Sequence, residues 1–232
     1  MASHVYSKRT KVARVLINVN LGTLTGQGNG SGFFISTDGT FFTCAHVALV
    51  LKGAEIKKLP IFAQTSGTEH EKYMAFYSSC IDNPKAVFED GQEVELQLEK
   101  LDMYYDFAIF KAKTGKIASE RILETDFSTP IDYGMHTNFV GYPMCPGYAP
   151  DKNPFAFNLG YVSAFPEIQI EENGKYEHIQ INALNLGGNS GGPLFIGESE
   201  AVVGIVNGNW SQYNVAYATS LKLLREKSAC YF

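Results

Sequence analysis

Short apolar-rich segments with strand character recur along this chain, several of them alternating apolar and polar residues as strands with one buried face do. Candidate strands are "VARVLINVN" (12–20), "GFFIS" (32–36), "FFTCA" (41–45), "EVELQLEKL" (93–101), "DFAIFKA" (106–112), "TNFVGY" (137–142), "FNLGYVSAF" (157–165), "EIQIE" (167–171), "EHIQINA" (177–183), "PLFI" (193–196) and "AVVGIVN" (201–207). Turn signals separate them: "GNGSG" (28–32), "TDGT" (37–40), "EDGQ" (89–92) and "EENGK" (171–175). The run "EIQIEENGKYEHIQI" predicts a hairpin, because an Asn-Gly pair sits between two alternating segments. Helical patterns are confined mainly to "ALVLKGAEIKKL" (48–59) and the C-terminal "SLKLLREKSA" (220–229). The stretch 52–100 reads as several strands with elaborated loops. About a dozen short strands without intervening long helices predict an all-β barrel or sandwich pair rather than βαβ units.

Composition adds little to the fold and more to the partners. The 232 residues are 45% hydrophobic and 13% aromatic, enough for a sizeable core. The net charge of −5 argues against nucleic acid or an anionic membrane as the main partner. No apolar run reaches the length of a membrane span, and the N-terminus lacks a signal-peptide core, so a cytoplasmic protein is the expectation, with a mature secreted form the alternative. Cys44, Cys80, Cys145 and Cys230 are far apart, with no CxxC pair. That spacing predicts free thiols, no metal site and no cofactor.

Three segments carry candidate chemistry. "TCAHV" puts His46 at the end of an apolar strand. "YYDFAIFKA" puts Asp106 at the start of another. "GGNSGGP" puts Ser190 in a glycine-rich turn before a third. A serine hydroxyl becomes a competent nucleophile when a base takes its proton, and a buried carboxylate orients that base. The oxyanion that follows needs donors already aimed at it. The backbone N–H groups of Gly188 and Ser190 fit, since glycines permit the required dihedrals. Each segment alone has a plainer reading, as a core histidine, a capped strand start or a hairpin loop; their ordered combination is what points to catalysis.

In these residues the chain resembles the chymotrypsin/trypsin-like serine protease superfamily, and within it the HtrA/Deg-like bacterial-type branch. The likeness runs through "GSGFFISTDGTFFTCAHV" (30–47), "DFAIFK" (106–111), "FVGYP" (139–143), "LGYVSAF" (159–165), "INALNLGGNSGGPLF" (181–195) and "VVGIVN" (202–207). It implies two six-stranded antiparallel β-barrels in one peptidase domain spanning 1–232, with the first barrel over roughly 1–120 and the second, with a terminal helix, over roughly 121–232. It also implies a serine endopeptidase acting on protein or peptide through a His46–Asp106–Ser190 triad and an acyl-enzyme. Asn189 stands where secreted relatives carry an Asp that pairs with a new N-terminus, so activation by N-terminal cleavage is not expected. Val47 replaces a disulfide cysteine of those relatives, and no appended PDZ domain is evident after the C-terminal helix.

For substrate binding, the resemblance points to Leu184, Ile205 and Val206 as an apolar pocket and to Asn207 and Asn209 as partners of an extended peptide. No acidic residue occurs in 183–196, which disfavours a preference for Lys or Arg. Two alternatives stay open: a protease-like binding module, and a latent protease that an oligomeric contact or activating partner switches on. An esterase with a nucleophile elbow is disfavoured, because "GNSGG" precedes a strand rather than a helix.

Overall fold

Period-two patterning translates into strands that close on themselves twice. The computed structural model describes residues 7–22, 25–51, 53–169, 174–210 and 214–227. The first barrel comprises β1 (Val12–Asn20), β2 (Thr25–Phe34), β3 (Thr40–Thr43), β4 (Ile81–Val87), β5 (Glu93–Asp102) and β6 (Phe107–Ala112), closed in the order β1-β2-β3-β6-β5-β4. The second comprises β7 (His136–Gly141), β8 (Ala156–Ala164), β11 (Ile179–Ile181), β12 (Pro193–Ile196), β13 (Gly204–Trp210) and β14 (Val215–Ser220), closed as β11-β14-β13-β12-β7-β8. All these ladders are antiparallel. A separate two-stranded ribbon pairs β9 (Glu167–Gln169) with β10 (Lys175–Glu177), as the hairpin signal predicts; the Asn173 side of its turn lies outside the described residues.

Small helices decorate this frame: α1 (Ala45–Leu49), α2 (Gly53–Lys57), α3 (Pro60–Gln64), α4 (Glu69–Cys80) and the C-terminal α5 (Leu221–Lys227). α1 and α2 fall on or beside the expected helical pattern of 48–59, whereas α3 and α4 are helical where strands and loops are expected. α4 starts with a capping box, in which Thr68 Oγ1 accepts from the Glu71 N–H (3.3 Å) and Glu71 accepts from the Thr68 N–H (2.6 Å). It buries Tyr73, Phe76 and Cys80 against the first barrel's core.

A second difference concerns "GNGSG", which is strand rather than turn. Its residues pair in unbroken register with β1, from Val12↔Phe33 to Asn20↔Thr25. The glycines serve a close approach: a Cβ on Gly28 would lie 2.7 Å from Val50, and one on Gly30 2.6 Å from Val47. β2 therefore lies directly against α1. Strands β4 and β14 go unrecognised by the period-two pattern altogether.

The apolar interior is continuous across the barrels. Tyr142, Phe195, Val202, Ile205, Leu221 and Leu224 belong to the same buried cluster as the phenylalanines of the first barrel. A smaller cluster of Phe139, Val162, Ile179, Ile181, Leu194 and Val206 fills the second barrel. No described helix is long and apolar enough to cross a membrane.

Candidate active site

His46 is placed by burial of everything around it on α1. Ala45, Val47, Ala48 and Leu49 are buried, leaving the imidazole as the helix's partly exposed side chain. Sixty residues along the chain, Asp106 meets it just before β6. The carboxylate is fully buried; Oδ1 accepts from the His46 backbone N–H (3.0 Å), and Oδ2 lies 2.7 Å from His46 Nδ1. One carboxylate thus holds both the ring and the backbone of the histidine. With the Nδ1 proton shared with Asp106, a neutral imidazole presents the Nε2 lone pair on its other side. Asp106 reaches this position with φ +53°, a left-handed conformation that Asp tolerates better than most residues.

Ser190 lies in the loop ahead of β12, and its backbone is tied down from both barrels. Its carbonyl accepts from the Ser31 N–H of β2 (2.8 Å). The Gly191 N–H donates to Val206 O (2.7 Å), and Val206 N–H returns to Gly192 O (2.9 Å). A Cβ on Gly30 would contact both Val47 and the Ser190 carbonyl, so the α1 side and the serine loop meet across this one glycine. Gly191 has φ +87° and no room for a methyl against Ser31 O and Thr43.

The residues before Ser190 form a β-turn, with the Asn189 N–H donating to Leu186 O (3.2 Å). Gly188, the turn's third residue, has φ +97°, the type II signature. The Gly187 carbonyl accepts from the Met144 N–H (2.7 Å). Because a trans peptide points its C=O and N–H in opposite directions, the Gly188 N–H faces away from Met144. A flip of this single peptide would make the turn type I and put a carbonyl where the N–H now points. Ser31 fixes the next peptide: its hydroxyl donates to Gly188 O (2.7 Å) and accepts from the Tyr142 N–H (2.9 Å). Nothing in the sequence marks Ser31 for this task, since its role exists only once the barrels are docked.

Asn189 is buried and its amide donates to Asn185 Oδ1 (3.1 Å). Asn185 in turn donates to Gly208 O (2.8 Å), and Asn209 donates to Asn185 O (3.1 Å). The loop is therefore anchored on β13 by neutral amides. The residues expected to bind substrate separate into two sets. Leu184, 48% exposed, and Asn209 lie at the surface. Ile205 and Val206 are buried in the two cores rather than lining an open pocket, because alternate side chains of β13 point into packed interior. Asn207 is also buried and points inward, donating to Thr219 Oγ1 (2.8 Å) and Tyr176 Oη (3.0 Å). β13 pairs with β12 only at Ile205 and Gly204, while its ladder with β14 runs on to Trp210.

Cys44, His46 and Asp106 are the group of described side chains with metal-ligand geometry, their ligand atoms all lying within 4.8 Å of one another. The set does not suit an ion. Burial, reinforced by the Asp106 charge, pushes the Cys44 thiol well above its ordinary pKa, and the thiol donates to Val206 O at 3.3 Å. Nδ1 and Oδ2 are already each other's partners. Cys44, Cys80 and Cys145 are free thiols, and Cys230 lies outside the described residues. A cavity of 620 Å³ on the second barrel, lined by Lys8, His136, Phe157 and Tyr161 among others, contains none of the candidate catalytic residues.

Solved structures of the HtrA-type protease AlgW superpose on this chain. The complex with a tripeptide gives a TM-score of 0.69 at 20% identity over 98% of this chain, and the complex with a decapeptide gives 0.67 at 18% over 97%. The chain spans 62% and 65% of those two proteins' lengths. Among curated protein sequences none matches it significantly. The sequence profile of the trypsin-like peptidase domain matches residues 30–205, a stretch that takes in the histidine, aspartate and serine segments and strands of both barrels, though not β1 or β14. This chain belongs to the trypsin-like peptidase domain family.

Proposed function

We propose that the protein is a serine endopeptidase that cleaves peptide bonds through an acyl-enzyme on Ser190. His46 takes the serine proton as Ser190 attacks and returns it to the leaving amine, while Asp106 sets the tautomer and stabilises the imidazolium. The N–H groups of Gly188 and Ser190 receive the oxyanion. The observation that carries this reading is the double grip of the Asp106 carboxylate on the His46 ring and backbone. The type II turn at Gly188 supports a loop already set to donate, and so counts against the latent alternative.

A peptide substrate would lie along the β13 segment that β12 leaves unpaired and extend the sheet by one strand; the occurrence of AlgW with a tripeptide and with a decapeptide supports a peptide ligand. Leu184 and Asn209 then flank the residue before the scissile bond, with Ile205, Val206 and Asn207 supporting the cleft from beneath. Without an acidic residue in 183–196, an uncharged side chain is favoured there. Wild type and Ser190→Ala, compared for fluorophosphonate labelling and for cleavage of a peptide library, test the assignment. Label on the wild type alone, with cleavage lost in the variant, is expected. Equal cleavage by both proteins overturns it.

A further inference from the structure

Resting on the peptidase reading above, we propose that Tyr176 is a positioning residue for Asp106, holding the backbone that aims the carboxylate at His46. Tyr176 comes from the β9–β10 ribbon, outside both barrels, yet it is buried beneath the Asp106 loop. Its hydroxyl donates to the carbonyl of Tyr105, the residue preceding Asp106, at 2.9 Å. With that proton committed, the phenolic oxygen accepts from Asn207 Nδ2 (3.0 Å) and pairs with Thr219 Oγ1 (3.0 Å). Asn207 closes the ring by donating to Thr219 Oγ1 (2.8 Å). The hydroxyl thus stands in a fixed three-membered network anchored on β13 and β14.

The ribbon's grip extends to the neighbouring residue. Gly174 N–H donates to Tyr104 O (2.8 Å), and the Tyr104 hydroxyl donates to Lys175 O (3.0 Å). The rings of Tyr104, Tyr105 and Tyr176 pack within 4.7–6.1 Å of one another. This clasp falls where the chain needs it, since Asp106 has φ +53° and such a conformation persists only where its surroundings enforce it. The titratable groups around the carboxylate are His46, Cys44, Tyr176 and His178. Burial raises the Cys44 and Tyr176 pKa values and lowers that of His178, so all three remain neutral near pH 7 and Tyr176 remains a donor.

Tyr176→Phe deletes the hydroxyl and keeps the ring packing. We expect kcat to fall about tenfold with KM unchanged, because a displaced Asp106 loop misaligns the base and not the substrate. The acidic limb of the kcat profile should move to lower pH, as the imidazolium loses part of its carboxylate partner. Thr219→Val, which removes a neighbouring hydroxyl from a different strand, should shift both readouts in the same direction by less. The low-field NMR resonance of the His46 Nδ1 proton reports the Asp106 hydrogen bond without any turnover, and it should shift or broaden in Tyr176→Phe. An unchanged resonance, or unchanged kcat and acidic limb in a folded Tyr176→Phe protein, overturns the proposal. Absence of peptidase activity in wild type would overturn the peptidase reading instead, and leave the resonance to decide the role of Tyr176.

Discussion

The two barrels share a strand count and a closed topology but are filled differently. The first is packed with phenylalanines: Phe33, Phe34, Phe41, Phe42, Phe107 and Phe110 are essentially inaccessible, and Phe42 meets Phe107 edge-on at 4.9 Å. The second relies mainly on Val, Ile, Leu and Ala around Phe139, with Gly192 and Gly204 allowing close backbone approach. Large interlocked rings fix the strand ends from which His46 and Asp106 project. Small side chains and glycines bring main chain against main chain around Ser190. One barrel places the candidate His46–Asp106 pair, and the other holds the candidate nucleophile Ser190 among tightly packed peptide groups.

If that division holds, Asp106→Asn should have the largest effect. It leaves the fold intact but reverses the hydrogen-bond role facing His46, and kcat should fall by about 10⁴. Single-turnover acylation measures this directly. Next comes Phe42→Ala, which empties the aromatic contact beside Phe107; a stability loss of about 3–5 kcal/mol is expected in urea titration. Gly188→Ala should lower kcat about 100-fold and also cost stability, since at φ +97° the added Cβ would lie 2.5 Å from Tyr142 O and 2.8 Å from Met144 N, straining the proposed oxyanion turn. A large stability loss with normal kcat in this variant would blur the comparison. The smallest effect concerns His178, a fully buried residue whose pKa burial lowers. Below about pH 6.5 the unfolded chain takes up this proton before the folded one, so stability falls as the pH drops. His178→Phe should flatten that acid-side decline in melting temperature.

The sequence exposes this architecture unevenly, for physical reasons. Strand 93–101 is legible because one face is buried and the other solvated, which writes period two into the residues, whereas 12–20 is legible as an apolar run buried on both faces. β2 escapes that pattern because its glycines answer to the approach of α1 rather than to burial, so a strand looks like a turn. α4 is not legible, because its short buried stripe of Tyr73, Phe76 and Cys80 is too sparse to announce a helix even behind the Thr68–Glu71 capping box. Among candidate site residues, His46 and Asp106 are legible because their chemistry depends on residue type. Ser31 and Tyr176 are not, because a hydroxyl reaching a distant carbonyl leaves no local trace. The inward turn of Asn207, and the burial of Ile205 and Val206, likewise depend on which face of β13 meets the core.

The first described residues bear on how the molecule comes apart. Lys8 is buried in the second barrel, donating to Asn138 Oδ1 (2.8 Å) with its ammonium 4.0 Å from the Phe195 ring. Four residues later the chain enters β1 of the first barrel, where Arg14 donates to Asn153 O (3.0 Å) and stacks on Tyr142. The opening segment therefore acts as a lace drawn through both halves. Cutting the connection between β6 and β7 would not release two independent domains, since the first fragment would still carry a plug seated in the second. Denaturation should accordingly be a single cooperative event, with cleft and barrels lost together.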